Sequence, residues 1–476
     1  MAGVRTTHPD YDKFASKWKR ARDVIAGQDA VHDAGTAYLP MLKAEDTLGY
    51  AARKTRADFF NATWRTIDAL NGMAFRKPPT QDAPAGLDSY LEDVTLSGVS
   101  IHDFAKETTE EVLSVGRIGI LVDHPTAPGA ETALTLVTAE KQGLRPTLQI
   151  YCAENIRNWK FSRVNNAWVL TQVVLQEVKL QPKDEFEDDE IIQYRVLDLD
   201  AAGQYRQRIF EVQDEKDVQI GDDIYPLMNG QPLKFIPFAI VGPGGKNDCI
   251  DEPPLIDLID KNLAHYQVNA DYRHGLHFCG LPTLFLAGIQ PEADGAKFYV
   301  GGEAAIFATD PAAKGEFIEM KGQALKPMED ALNRIEQHMA ILGARMIADE
   351  SKQVETLGAT QIKRQGENSV LAKIVQSVSD ALEWTLTVFA EWAGQAGKIK
   401  YQINRDFMPA MMDGRELMGL VQALQAGGLS NREFFDLMQR GDIIDGDRTY
   451  EQHQEEIKAD PPLGGPAKPQ PGQQAA

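Results

Sequence analysis

The sequence predicts an α+β fold with several domains, and three observations support this. The chain has 476 residues, more than the roughly 250–300 at which a single hydrophobic core stops growing. Apolar residues recur at helical spacing in residues 1–117 and again from residue 253 onward. Between these parts, short runs of β-branched and aromatic residues alternate with Gly, Pro, Asn and Asp, a pattern typical of strands and turns. A sheet-containing region flanked by helical ones is therefore expected.

The helical spacing at the start of the chain predicts two long helices. The first covers residues 9–25, and Gly27 supplies its C-terminal stop. The second covers residues 46–75, carries Phe59 and Trp64 among its apolar positions, and ends before a Lys-Pro-Pro sequence. Both are expected to bury one apolar face.

The central region, about residues 118–241, contains strand-like runs such as WVLTQVVLQEV and IIQYRVLDL. Its acidic segment, residues 184–190, carries six carboxylates but lacks the Gly and Asn turn residues with which a loop folds around a cation. A hairpin loop in solvent is therefore favoured over a metal site.

Beyond a Pro-Pro pair the chain is predicted to be helical over residues 255–278, and Gly280 and Pro282 end this helix. Strand-like runs broken by Gly and Pro follow as far as about residue 322. This pattern predicts a small β-rich insert between two helices.

The second of these helices, residues 323–348, has the most regular apolar spacing in the sequence. Apolar residues alternate three and four apart through three heptad repeats, as in a helix that packs lengthwise on another helix. An ordinary core stripe explains the spacing equally well, and the two interpretations differ in whether the partner helix belongs to the same subunit. The residues of this stem seam are Leu325, Met328, Leu332, Ile335, Met339, Leu342 and Met346.

A polar stretch at residues 349–356 follows. It lacks the Gly-Pro chemistry of a tight turn, and its carboxylates would be costly to bury without partners, so it is expected to project into solvent. Lys352 is its only cation beside three carboxylates, which makes it net acidic. The residues assigned to this stretch are Asp349, Glu350, Ser351, Lys352, Gln353, Val354 and Glu355.

The C-terminal part is predicted to be mostly helical. A helix over residues 357–394, with Trp384 adding bulk to its buried face, would be on the order of 55 Å long at about 1.5 Å per residue. A strand, KIKYQIN, and two short helices follow, the second opening with a capping-box pattern at Ser430 and Glu433. Residues 460–476, rich in Pro, Gly and Gln, are predicted to be disordered.

The formal charge is −21 and the pI is near 4.9. A protein that grips nucleic acid needs clustered Lys and Arg to neutralise phosphates, so a conventional DNA-binding domain is disfavoured. The same sign suits a surface past which DNA slides without sticking. Plain solubility explains the charge as well, and is the simpler interpretation.

The sequence also gives an expectation for its compartment. No apolar run approaches the roughly 20 residues of a membrane-spanning helix, and the first residues lack the apolar part of a secretory signal, so no membrane association is expected. Cys152, Cys249 and Cys279 are odd in number and far apart, which indicates neither a disulfide framework nor a zinc site.

The sequence matches none of the common catalytic and ligand-binding motifs. A Gly-Gly-Lys-Asn sequence resembles the end of a phosphate-binding loop, but Ile240 replaces its first Gly and Asn247 its Ser or Thr. His265, His274 and His277 lie in one predicted helix without a carboxylate or thiol one turn further to complete a metal site. We therefore predict no catalytic residue, no metal site and no cofactor.

Several segments resemble phage portal proteins. HPDYDKF near the start, RADFFNATWRTIDALNGMAFRKPP at 56–79 and PPLIDLIDKNLAHYQVNADYRHGLHFCGLP at 253–282 are similar to a family of phage portal proteins long catalogued without a function. LGARMI at 342–347 and ETLGAT at 355–360 also fit that family. The resemblance spans nearly the whole chain. It indicates the family rather than individual functional residues.

The resemblance implies a portal-type architecture: a wing of helices and strands, a helical stem, a small β-rich clip, a long helix and a helical crown. The expected divisions are the wing at 1–252 (helical 1–117, β-rich 118–252), a stem helix at 253–280, the clip at 281–322, a second stem helix at 323–348, the tunnel loop at 349–356, a long wing helix at 357–396, the crown region at 397–459 and a disordered tail at 460–476.

The family forms a closed ring, usually of twelve subunits, at one fivefold vertex of the capsid. The implied partners are further copies of the chain, capsid and scaffold proteins, the large subunit of the terminase, the head-tail adaptor, and packaged double-stranded DNA that passes non-specifically. The clip would face the motor and later the adaptor, and the tunnel loop would line the channel. The implied location is the virion, after assembly in the host cytoplasm.

A competing hypothesis from another class is an acidic intracellular enzyme with an unrecognised active site, built on the β-rich region. The resemblance favours a non-enzymatic assembly protein instead. Particle size separates the two, because a portal forms a particle of about twelve subunits with a central hole, whereas an enzyme of this kind would be a compact monomer or dimer.

Overall fold

The computed structural model describes residues 3–125, 144–245, 249–281, 283–288, 311–318, 322–347, 369–407, 414–426, 428–440, 443–444 and 448–459. Its α-helices are α1 Pro9–Ala26, α2 Gln28–Asp33, α3 Thr47–Arg56, α4 Ala62–Ala74, α5 Asp88–Leu91, α6 Ile101–Val115, α7 Ile256–Cys279, α8 Leu325–Arg345, α9 Val370–Trp392, α10 Gly414–Gln425, α11 Asn431–Arg440 and α12 Tyr450–Ala459. Its strands are β1 Thr80–Asp82, β2 Ile118–Asp123, β3 Thr147–Cys152, β4 Ile156–Val164, β5 Ala167–Pro182, β6 Asp188–Leu199, β7 Tyr205–Gln213, β8 Lys216–Ile224, β9 Leu227–Met228, β10 Gln231–Pro232, β11 Phe238–Val241, β12 Thr283–Ala287, β13 Lys314–Ile318 and β14 Lys400–Gln402.

The first predicted helix corresponds to α1, which has clear signals at both ends. The His8 side chain accepts a hydrogen bond from the Asp10 amide, and Pro9 occupies the first helical position. Gly27 ends the helix with φ of +99°, a backbone conformation that favours glycine.

The prediction of one helix over residues 46–75 is wrong, because the chain leaves the helical conformation between α3 and α4. Ala57 is extended, and Asn61 starts α4 by accepting a hydrogen bond from the Trp64 amide at 3.0 Å. The break turns Phe59 into the core, where it is 6% exposed. Apolar spacing continues across the break, so periodicity alone does not reveal it.

The central region forms two larger antiparallel sheets and a short two-stranded hairpin of β9 and β10. In the larger sheet each strand pairs with the next in sequence, from β4 to β8, and the smaller sheet has the order β11-β2-β3. The acidic segment lies at the β5–β6 turn, where the Asp184 carboxylate accepts hydrogen bonds from the Phe186 and Glu187 amides. Its carboxylates are exposed, as the prediction of a hairpin loop requires.

One hydrophobic core joins the helices to the sheets. Trp18 of α1, Ile67 of α4, Leu121 of β2 and Phe389 of α9 are all fully buried in it. Helix α9 contacts α4, α6, β2 and β11, so it passes through the middle of this core.

Helix α9 is shorter than the helix predicted over residues 357–394. The Ser369 hydroxyl accepts a hydrogen bond from the Ala372 amide at 3.2 Å and Ser369 itself is extended, so the helix begins at Val370. Its 23 residues span about 35 Å. Trp384 is 40% exposed and does not add to the buried face as expected. Residues 357–368 lie outside the described residues.

The rest of the C-terminal part consists of strand β14, which belongs to the main body, and the short helices that follow it. Strand β14 pairs with β1, so residues near 400–402 pack against the N-terminal helical region. The capping box predicted at the start of α11 is confirmed, since the Ser430 and Glu433 side chains each accept a hydrogen bond from the other's amide. Helix α12 was not predicted. None of the helices in the described ranges has the length and hydropathy needed to cross a bilayer.

Candidate functional site: a projecting pair of helices

Helices α7 and α8 form the candidate site, since they pack lengthwise against each other in antiparallel directions. Near one end, Leu325 of α8 lies so close to Gly275 of α7 that a Cβ at that glycine would be 2.9 Å from the leucine Cδ2. Nearer the other end, His265 Nε2 lies 3.2 Å from a carboxylate oxygen of Glu336. The β12–β13 hairpin lies between the two helices in sequence.

The seven seam residues lie on the inner face of α8. Leu332, Met339 and Met346 are buried, and the other four are half-buried, whereas most residues between them are exposed. Met339 and Met346 belong to the main core. Within this chain, the helix that lies along the seam is α7.

The first two thirds of α7 are fixed firmly in the core. Its apolar face, from Leu258 to Tyr266, is buried, and the buried Asn262 side chain accepts hydrogen bonds from the Thr63 amide and hydroxyl. Its amide group also donates to the Phe60 carbonyl at 2.8 Å. These contacts attach α7 to the start of α4.

A buried guanidinium strengthens this attachment. Arg53 of α3 is 1% exposed and pairs with Glu45 at 2.8 Å, and it also reaches Asp271 of α7 at 3.3 Å. The hydrogen bond from Arg53 lowers the pKa of the Glu45 carboxyl. A charge so completely buried needs such partners.

The opposite ends of the two helices project from the core. Leu276 and Phe278 near the end of α7 are 43% and 48% exposed, and Phe285 and Phe317 of the β12–β13 hairpin are 47% and 53% exposed. Leu281 and Ile318 are exposed in the same region. Phe285 and Phe317 lie on opposite faces of the hairpin, because Phe317 pairs with Leu284. Exposed apolar groups gathered at a projecting end are typical of interaction surfaces. We call these six residues the distal apolar surface.

The distal apolar surface was missed at the sequence level. The strand-like runs of the predicted β-rich insert include TLFLAGI and EFIEM, whose apolar residues occupy both faces. Apolar residues on both faces of a strand were the signal that could have indicated this surface, because a two-stranded hairpin by itself has little core in which to bury them. The rest of the predicted clip, residues 289–310 and 319–321, lies outside the described residues.

The predicted tunnel loop, Asp349 to Glu355, also lies outside the described residues. The nearest described residues before and after this part of the chain, which end at 347 and resume at 369, are close together, because the Leu371 amide donates a hydrogen bond to the Met346 carbonyl at 3.0 Å. The end of α8 and the start of α9 are therefore adjacent.

The β-rich region contains a buried polar cluster, which is a second candidate for the functional site. Arg195 of β6 pairs with Glu177 of β5 at 2.7 Å and Asp123 of β2 at 3.2 Å, and the Tyr151 hydroxyl donates to Glu177 at 2.6 Å. Burial by itself raises the pKa of Glu177, but Arg195 and these hydrogen bonds lower it overall. Burial and the Glu177 charge raise the pKa of Tyr151.

The geometry of this cluster indicates that it stabilises the fold and is not an active site. It joins strands of both sheets, and each oxygen of Glu177 has a hydrogen-bond donor, so the carboxylate is held ionised. An ionised, fully paired carboxylate is a poor proton donor and a constrained base.

The three histidines of α7 do not converge. His265 faces Glu336, and His277 Nε2 lies 3.0 Å from an Arg56 nitrogen. Throughout the ranges that the structure describes, no group of three or more His, Cys, Asp or Glu side chains could hold a metal ion. Cys152, Cys249 and Cys279 are free thiols.

Comparisons with known proteins find one family model that matches the part of the chain containing the helix pair. A family model described as a domain of unknown function (DUF4055) matches residues 254–393, which include α7, α8 and α9. No curated protein matches the chain.

Two solved structures are similar to the chain at low identity. One is a chain from the virion of a native gene transfer agent particle, with a TM-score of 0.40, 12% identity, and coverage of 86% of this chain and 98% of that chain. Another is from the neck of an empty gene transfer agent particle, with a TM-score of 0.39, 11% identity, and coverage of 80% and 90%.

Proposed function

We propose that this chain is the portal protein of a tailed bacteriophage or a phage-like particle, a non-enzymatic subunit of a ring around the channel for DNA. The observation that carries the proposal is the antiparallel pair α7–α8, rooted in the core at one end and carrying a β-hairpin at the other. This arrangement has the order expected for a stem and a clip.

The distal apolar surface supports assembly. A monomer in water would leave Phe278, Phe285 and Phe317 about half exposed. Covering the exposed half of each would contribute roughly 0.8–1.5 kcal/mol, half of the value for a fully exposed side chain. In a ring, the projecting end of one subunit lies beside that of the next. Neighbouring copies, the terminase or the adaptor would then cover these side chains.

The net charge fits a channel rather than a DNA clamp. Each copy carries −21, so a ring of copies repels phosphates over roughly one Debye length of 8–10 Å. DNA would pass without being held. The predicted tunnel loop, whose only cation is Lys352, would add carboxylates at the narrowest part of the channel.

The proposed partners follow from this role. They are further copies of the chain, the capsid and scaffold proteins at the vertex, the terminase large subunit during packaging and the head-tail adaptor afterwards. The proposed location is the virion.

Negative-stain imaging and native mass spectrometry of the purified chain test the proposal. Rings of about twelve subunits with a central hole would support it. A particle that remains a monomer or dimer at all protein and salt concentrations would contradict it and would favour the enzyme hypothesis.

A further inference from the structure

An apolar groove lies on the wing, away from the helix pair. Two adjoining cavities of about 370 Å³ and 280 Å³ share Phe238, Ile240 and Trp384, so they form one continuous depression between β11 and α9. Phe161, Trp168 and Phe235 line its outer part. We call the depression lined by these six residues the aromatic groove.

The aromatic groove combines a rigid floor with exposed walls. Phe238 and Ile240 are 4% and 5% exposed and belong to the core, whereas Trp384 and Trp168 are 40% and 62% exposed. Exposed tryptophans beside a fixed apolar floor are typical of a surface that receives a ligand.

Two aromatic pairs shape the walls. Phe161 and Trp168 stack with ring centroids 6.4 Å apart, and Phe235 and Trp384 meet edge to face at 6.2 Å. Grooves bounded by aromatic rings in this way recognise polyproline II segments, whose proline rings fit between the side chains. The Asp380 side chain lies beside Trp384 on the wall formed by α9.

We propose that the aromatic groove binds the C-terminal segment of this chain, residues 460–476. This segment begins after α12, contains five prolines in 17 residues, and ends at Ala476. In a polyproline II conformation of about 3.1 Å per residue, its 17 residues reach roughly 53 Å.

The sequence of the segment matches the groove chemically. Pro466 and Pro469 are three residues apart, which places them on the same edge of a polyproline II helix. Lys468 is the only cation of the segment and lies between them. Asp380 supplies the opposite charge at the wall, so the two prolines enter the groove while the lysine pairs with the aspartate.

Photo-cross-linking in the full-length chain tests this proposal. A benzophenone amino acid at position 467 is expected to cross-link to residues 161–170 and 377–385, within one chain or between two copies. Trp384→Ala should lower the yield about tenfold, the effect of removing one aromatic anchor from a small interface. Trp64→Ala is the matched control, because Trp64 is 38% exposed on α4, and it should leave the yield unchanged.

Hydrogen exchange gives a second readout that does not depend on changing the groove. Pro466→Ser with Pro469→Ser should increase exchange in residues 235–241, whereas Pro461→Ser with Pro462→Ser should not. Cross-links that map elsewhere, a yield insensitive to Trp384→Ala, or exchange that is equal in both proline variants would overturn the proposal. Such results would mean that another surface of a second copy, or a foreign partner, covers the groove.

Discussion

At the residue scale, buried charge is the feature that most constrains this protein. Arg53 is buried beside Glu45, where two strong hydrogen bonds and the Pro40 carbonyl compensate the loss of water. Removing one member of such a pair leaves the other as an unpaired buried charge. Glu45 therefore keeps the Arg53 guanidinium compensated in the position from which it reaches Asp271 of α7.

Replacing Arg53 should accordingly be severe. We expect Arg53→Met to lower the free energy of unfolding by about 3–5 kcal/mol, measured by urea denaturation. Arg273→Met is the control, because Arg273 pairs with Asp58 at the surface, where ion pairs contribute about 0–1 kcal/mol. Equal effects in the two variants would show that the Glu45 pair is not desolvated as described.

The same pair gives a pH dependence with a definite sign. Because Arg53 lowers the pKa of Glu45 in the folded protein, the pair stabilises the fold above the usual carboxyl pKa of 4.5. That stabilisation is lost as the pH falls through the lower, folded-state value. The melting temperature should therefore fall less steeply from pH 6 downward in the double variant Arg53→Met/Glu45→Leu than in the wild type.

At the scale of elements, the apolar spacing of α8 can be recognised in the sequence, because a regular three-and-four repeat requires no knowledge of the partner. The break between α3 and α4 was not, since it depends on a single cap at Asn61 within continuous apolar spacing. The start of α9 at Val370 likewise depends on the Ser369 cap. Neither the aromatic groove nor the buried Arg195 cluster was predictable, because each joins residues far apart in sequence.

The seam can be tested within α8 itself. Met339→Ala should lower the free energy of unfolding by about 2–5 kcal/mol, since this side chain is 3% exposed and its removal leaves a cavity. Ile341→Ala, two residues further on and 51% exposed, should cost less than about 1 kcal/mol. If the two substitutions lower the free energy of unfolding by the same amount, the seam does not face the core.

The proposed clip should behave as a separable element. Replacing residues 283–318 by a short Gly-Ser linker joins α7 to α8 where Gly275 and Leu325 already touch, so the remaining protein should keep its melting temperature. Terminase docking, measured by co-sedimentation, should be lost. Phage that carry this deletion and still package DNA would contradict the assignment of a clip.

At the scale of the whole molecule, the proposed ring would be subject to both attraction and repulsion between its subunits. The distal apolar surface would favour contact between copies, whereas the charge of −21 per copy would oppose it. Salt screens the electrostatic repulsion between copies but does not weaken the apolar contact. Ring formation should therefore be more complete at higher ionic strength, and the sign of this dependence distinguishes apolar assembly from assembly by ion pairs.

Charge-reversal variants of the proposed tunnel loop test whether this loop contacts DNA. Charge reversal by Glu350→Lys and Glu355→Lys would replace repulsion with phosphate attraction, and each new contact would weaken as salt displaces it. The ends of α8 and α9 that flank this stretch are joined by the Met346–Leu371 hydrogen bond, which the substitutions do not touch, so rings should form normally. We expect slower packaging and ejection at low salt and recovery at high salt. Wild-type kinetics at every ionic strength would show that the stretch does not meet DNA, and failure to form rings would show that it is a contact between subunits.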